Sequence, residues 1–245
     1  MDQAKSKRFL DAFHEIEGFL RKMTQMDSNA SFRQLLDKAE PMSKPVRQHR
    51  NELDSLKELR NAIVHKRVKT KMITEVIAEP HLKTVERIEY LRDQILQPPV
   101  ISANFLGSVT TCSSGDLIGP VMVDMYNQSF SQVPVYDDGV FQGLLTTDTI
   151  SRWLASGIVR EGDIIITEET VADVMPHNES LNNVRLIRRN CTLYDVLDYF
   201  DQANEKGQRL DALIVSNSGR KEEKPLGIIT IFDLPEIYQR VQGGE

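Results

Sequence analysis

Val133-Pro134-Val135-Tyr136-Asp137-Asp138-Gly139, followed three residues later by Gly143-Leu144-Leu145-Thr146, is the stretch that decides the fold. An apolar, partly β-branched run enters a Gly turn and leaves it in a second apolar run, which reads as strand, turn, strand. The same order returns in Leu213-Ile214-Val215-Ser216-Asn217-Ser218-Gly219 and Gly227-Ile228-Ile229-Thr230-Ile231-Phe232-Asp233-Leu234. The chain therefore carries an internal repeat, which outranks any single motif as a guide to architecture. Thr170-Val171-Ala172-Asp173-Val174-Met175-Pro176 stands upstream of the second copy.

Working outward, residues 98–245 alternate short β-rich runs with helical ones. A further strand is expected over Asp163 to Thr167, and the alternation points to βαβ-type units. Residues 1–97 have a different texture. Phe9, Leu10, Phe13, Ile16, Phe19, Leu20 and Met23 recur at helical spacing. Asp27-Ser28-Asn29 breaks that helix, and Phe32, Leu35 and Leu36 begin a short second one. Ser43 is placed to cap a third helix running to about His65. A fourth follows Pro80, and Pro98-Pro99 closes it. Four helices and no strands predict a bundle. The expected class is α+β with two domains, 1–97 and 98–245.

Charge divides the same way. Residues 1–97 carry 19 Lys+Arg against 15 Asp+Glu, and the remainder 11 against 21, within a whole-chain net of −6. A mildly basic part joined to a strongly acidic one suggests two jobs, and a polyanion partner should prefer the first. No run of roughly 18 apolar residues implies a membrane span. Cys112 and Cys191 lack metal-type spacing and read as reduced thiols, so a cytoplasmic setting and no metal are expected.

The paired strings Val133–Gly139 with Gly143–Thr146, and Thr170–Met175 with Gly227–Leu234, resemble the CBS (cystathionine β-synthase) domain family over about residues 100–240. The resemblance implies a pair of βαββα repeats that meet through their sheets and hold an adenine-type nucleotide, such as AMP or ATP, as a regulatory ligand. It assigns Asp233 to the ribose and Thr230 to the phosphate side. A carboxylate can accept hydrogen bonds from both ribose hydroxyls. In the first repeat the aligned pair is Thr146 and Thr149; the carboxylate is missing, and Asp148 lies one residue early. One competent site is therefore expected rather than two. Val133 and Pro134, with Leu213 and Ile214, are expected to line an apolar base slot. Arg185, Arg188 and Arg189 flank the second repeat's first strand as candidate phosphate ligands. Asp233 also has a plain structural role open to it, capping the last helix.

In the first part the sharpest string is Arg60-Asn61-Ala62-Ile63-Val64-His65. At about 100° per residue, Leu53, Leu56, Leu59 and Ile63 define an apolar sector that also contains His49 and Arg60. An Arg on a core face is costly unless it is paired or lies at an interface. Lys66-Arg67-Val68-Lys69-Thr70-Lys71 follows, with no acid between Glu58 and Glu75. The Arg-Asn-three residues-His string in a helical setting resembles HEPN domains, many of which are metal-independent ribonucleases. That resemblance implies His65 as proton carrier, Arg60 as phosphate ligand and Asn61 as orienting group. It also implies RNA as substrate and a composite site across a homodimer.

Two readings stand side by side. In one, a nucleotide-sensing CBS pair regulates a HEPN-like ribonuclease. In the other, the sensor is not an enzyme, and the helical domain only dimerises or docks a partner.

Overall fold

The computed structural model describes residues 3–65, 67–69, 74–76, 78–161, 168–180 and 183–243. The chain divides into two compact units, Met1–Pro99 with Gln239–Glu245, and Val100–Tyr238. The last seven residues thus group with the helical unit.

The helical unit is built from α1 (Gln3–Thr24), α2 (Phe32–Ala39), α3 (Lys44–Gln48), α4 (Arg50–His65) and α5 (Leu82–Leu96). The periodic residues of α1 do what their spacing requires. Phe9, Phe13, Ile16 and Leu20 are buried with Leu35 and Leu36 of α2 and with Ile88 and Leu91 of α5. Each such side chain contributes about 1.5–3 kcal/mol on full burial. Phe13 meets Phe32 with ring centroids 4.5 Å apart. Ser31 and Gln34 form a reciprocal capping box that starts α2.

Two departures from the four-helix expectation are structural. The helix capped by Ser43 ends at Gln48, because His49 leaves helical geometry (φ −105°, ψ 13°) before α4 begins. Two short strands, β1 (Arg67–Lys69) and β2 (Thr74–Val76), pair antiparallel where none was expected. Their few residues give no alternation long enough to read.

In the second unit, α6 (Ile118–Gln128) leads into β3 (Gln132–Asp137), β4 (Val140–Thr146) and α7 (Thr147–Glu161). After α8 (Val171–Val174) come β5 (Val184–Arg188), α9 (Leu193–Glu205), β6 (Ala212–Ser216), β7 (Gly227–Thr230) and α10 (Leu234–Gln242), of which this unit holds the part up to Tyr238. The second repeat is thus strand, helix, strand, strand, helix, with β5 parallel to β6 and β6 antiparallel to β7. The first repeat follows the same plan, but its leading strand shrinks to one parallel bridge, Cys112 with Val135. The strand expected over Asp163 to Thr167 lies outside the described residues.

Asp138 (φ 50°) and Gly139 (φ 80°) make the two-residue turn that joins β3 to β4. Positive φ at both positions suits Asp-Gly and matches the twist of a hairpin. Leu144 of β4 is buried with Ala212 and Ile214 of β6, so the two repeats share apolar sheet faces.

The repeats also hold each other's leading segments. Val100 bridges to Thr192, and Leu117 to Thr170. Around these bridges, Ile101 N donates to Cys191 O (3.0 Å), and Val171 N to Asp116 O (2.9 Å). Gly227 is obligatory in this frame, since a Cβ there would lie 2.1 Å from the carbonyl oxygen of Phe105.

Candidate functional site

The ends of β4 and β7 are equivalent positions in the two repeats. At the second, Asp233 Oδ2 accepts from Thr230 N (2.7 Å) and from Thr230 Oγ1 (3.1 Å). Phe232 N donates to Thr230 Oγ1 (3.3 Å), which completes a capping box. Sequence left open that Asp233 caps the last helix; here Thr230 is the cap and Asp233 its N3 partner, on the short turn that leads into the last helix. At the first, Thr146 Oγ1 and Thr149 Oγ1 lie 2.9 Å apart, and Thr149 N donates to Thr146 Oγ1 (3.1 Å). A neutral hydroxyl pair replaces a charged one, and Thr149 is buried at 1% exposure.

Between these two ends lies a cavity of about 390 Å³, lined by Gln132 and Thr146 of the first repeat and Arg209, Asp211, Thr230 and Phe232 of the second. Such a volume falls within the range of small-molecule sites, roughly 300–1,000 Å³. Phe232 is 80% exposed and Ile231 55%. A bare aromatic ring beside a cavity offers a stacking face for a flat heterocycle.

The cationic group on the wall is Arg209, which sequence reading passed over. Its Nε donates to Asp211 Oδ1 (2.6 Å), and its Nη1 to Asp148 Oδ2 and, at 3.5 Å, Glu179 Oε2. Asp211 and Asp148 together hold the guanidinium even more firmly protonated than usual. Asp148, one residue early in the repeat alignment, thus pairs across the repeats. The partners are 61 residues apart, so no local pattern in the sequence announces them.

The other named residues fall elsewhere. Val133, Pro134 and Ile214 are buried within their strands, and the cavity wall is made by residues at the strand ends. Arg188 and Arg189 lie at the far end of the sheet. Thr230 pairs with Ala212, and Arg188 with Ser216, four residues along β6. At ~3.3 Å per residue this separates them by about 13 Å. There they line a second cavity of about 620 Å³ with Val100, Ile101, Asn217 and Ser218. At that end Glu223 accepts from Ser218 Oγ (2.6 Å), Ser218 N (2.7 Å) and Ser216 Oγ (2.8 Å), which pulls its carboxyl down to about 2. Arg185 stacks over the Tyr199 ring at 4.0 Å.

In the helical unit, Arg60 Nη1 donates to Asn61 Oδ1 (3.3 Å), and its guanidinium lies 5.8 Å from the Phe13 ring centroid. Both Arg60 and Asn61 are half-buried. The apolar sector that predicted a costly Arg is thus partly answered by a ring face and a side-chain oxygen. His65 ends α4, but its side chain lies outside the described residues, as do the side chains of residues 66–71.

Cys112 and Cys191 are buried free thiols, and burial pushes Cys112 up to about 12. Among the described residues no group of three or more His, Cys, Asp or Glu side chains could hold a metal ion, and no helix is long and apolar enough to cross a membrane.

No protein-family model matches the chain, and no curated protein matches it. Solved structures that resemble it include CBS-domain proteins that cover a little over half of the chain. A CBS domain-containing protein of unknown function from Kribbella flavida is 12% identical, covering 56% of this chain and 97% of its own, with a TM-score of 0.44. A CBS-domain containing protein from Agrobacterium tumefaciens is 21% identical over 53% and 84%, with a TM-score of 0.37. CBSX2, solved in complex with AMP, is 12% identical over 59% and 98%, with a TM-score of 0.42. Likenesses this distant carry no functional weight, and the functional reading rests on the chain's own residues.

Proposed function

We propose that Val100–Tyr238 is a tandem CBS pair that senses an adenine-type nucleotide in the cleft between its repeats. The observation that carries the reading is the 390 Å³ cavity at which Thr146 and Thr230, equivalent strand ends, meet Arg209 and Phe232. Phe232 and Ile231 would receive the base. Asp233 Oδ1, which no described hydrogen bond engages, would accept from the ribose. Arg209 would face a phosphate. Ligand binding favours whichever arrangement of the chain it fits best, and so can regulate the helical unit by population shift.

Calorimetric titration of the full chain with AMP, ATP, adenosine and S-adenosylmethionine tests this. Heat of binding that Asp233→Ala weakens is the expected result. No heat with any of the four overturns the reading.

A second reading concerns the helical unit. The contact of Arg60 with Asn61 on α4 supports a HEPN-like domain in which Arg60, Asn61 and His65 cleave RNA without a metal, across a homodimer. Cleavage of a mixed RNA pool by the wild type, lost in Arg60→Ala and His65→Ala, is its expected signature. Equal inertness of all three leaves the helical unit as a non-enzymatic dimerisation or docking element.

A further inference from the structure

Arg209 has two kinds of partner. Asp211 is 15% exposed, and its other oxygen accepts from Asn183 Nδ2 (2.8 Å), a residue buried at 3%. Its backbone N–H also donates to Asn183 O (2.6 Å). Asn183 thus holds both the carboxylate and the backbone of Asp211, which makes Asp211 the permanent partner. Asp148 is 53% exposed, comes from the first turn of α7 in the other repeat, and makes no second bond among those described. Glu179 is 54% exposed, reaches Arg209 only at 3.5 Å, and is shared with Arg152 (3.2 Å). The network thus sets three carboxylates against two guanidiniums, and two of its members, Arg209 and Asp211, line the cavity.

Resting on the cleft reading above, we propose that Arg209 is the phosphate-reading residue and that Asp148 is an internal competitor for it, so that the cleft ranks adenine ligands by their charge. One phosphate group takes the place of the exchangeable Asp148 carboxylate on Arg209 while Asp211 keeps the guanidinium in position. Further phosphates lie against Asp148 and Glu179, where like charges repel, and the network's second guanidinium, Arg152, is already paired with Glu179. The chemical class favoured is an adenosine ligand carrying a single phosphate, over its triphosphate.

The test is calorimetric titration of the full chain at low ionic strength with adenosine, AMP and ATP, the last without added divalent cation. Wild type, Asp148→Asn, Asp148→Ala and Arg209→Gln are compared, with folding followed by circular dichroism. The expected result is AMP tighter than ATP in the wild type. Both Asp148 variants should bind AMP about fivefold more tightly, the scale of one exposed charge pair, with adenosine unchanged. Arg209→Gln should bring AMP down to the level of adenosine. If adenosine and AMP bind but the Asp148 variants leave their ratio unaltered, the competitor role falls while the cleft stands. If none of the three ligands binds the wild type, the cleft reading falls and takes this inference with it.

Discussion

Thr149 Oγ1 sits 2.9 Å from Thr146 Oγ1, in the place where the second repeat sets Asp233 against Thr230. The two strand ends share a backbone plan and differ in one charge. Asp233→Asn keeps a side-chain oxygen for the cap and removes that charge. AMP affinity should fall about tenfold by calorimetry, as expected for a hydrogen bond to a charged group. The converse change does not repair the first repeat. Thr149 is 1% exposed, so Thr149→Asp buries an uncompensated carboxylate and should cost about 3 kcal/mol in urea denaturation.

Gly227 and Gly143 hold equivalent positions and should respond differently to the same substitution. A Cβ at Gly227 meets the backbone oxygen of Phe105 at 2.1 Å, whereas one at Gly143 meets the terminal methyl of Met175 at 2.6 Å. A backbone carbonyl cannot step aside, but a methionine end can rotate. Gly227→Ala should cost about 3 kcal/mol, and Gly143→Ala less than about 1 kcal/mol, by chemical denaturation.

Much of this fold was legible. The β-branched runs and the Asp138-Gly139 turn gave the strands of both repeats their places, and the apolar spacing of α1 named its buried face. Other features carry no local signature. His49, buried at 5% exposure, interrupts what reads as one helix. Arg188, read as a candidate phosphate ligand, lies at the far end of the sheet from Thr230, because β5 runs parallel to β6, which the alignment of repeats does not reveal. Arg209 and Asp148 are joined only by tertiary structure.

His49 predicts a pH dependence in the helical unit. The side chain is 5% exposed, and burial, seconded by the charge of Arg87, lowers its affinity for a proton below the ordinary value of 6.5. Glu52, 3.9 Å away, and the backbone of Val241 act in the opposite sense without prevailing. The unfolded chain therefore takes up a proton before the folded one does. The stability His49 contributes is present above about pH 6.5 and is lost as the pH falls below it. Denaturation midpoints of the wild type should decline between pH 7 and 5, and those of His49→Gln should decline less.

The homodimer expected from sequence runs across the helical unit, and an exposed apolar face on α6 of the second unit is a separate candidate for self-association. Val123 and Tyr126 are one turn apart and 57% and 86% exposed. Tyr126 also borders an apolar cavity of about 430 Å³ with Met122, Phe130 and Ile150. Exposed apolar clusters of this kind mark association surfaces. Sedimentation should give a dimer for the wild type and a monomer for the Val123→Asp, Tyr126→Asp double variant, at unchanged thermal stability. A wild-type monomer removes the dimer from the proposal.

The bridges of Val100 to Thr192 and of Thr170 to Leu117 make each repeat the anchor of its sibling's first residues. A fragment ending near Thr170 would lose Cys191 and Thr192, against which Val100 and Ile101 are tied. A fragment beginning after Thr170 would lack both Thr170 and the Leu117 to which it bridges. Neither half contains a complete set of its own edges. The pair therefore cannot be cut back to one repeat, and the two halves should melt in a single cooperative step.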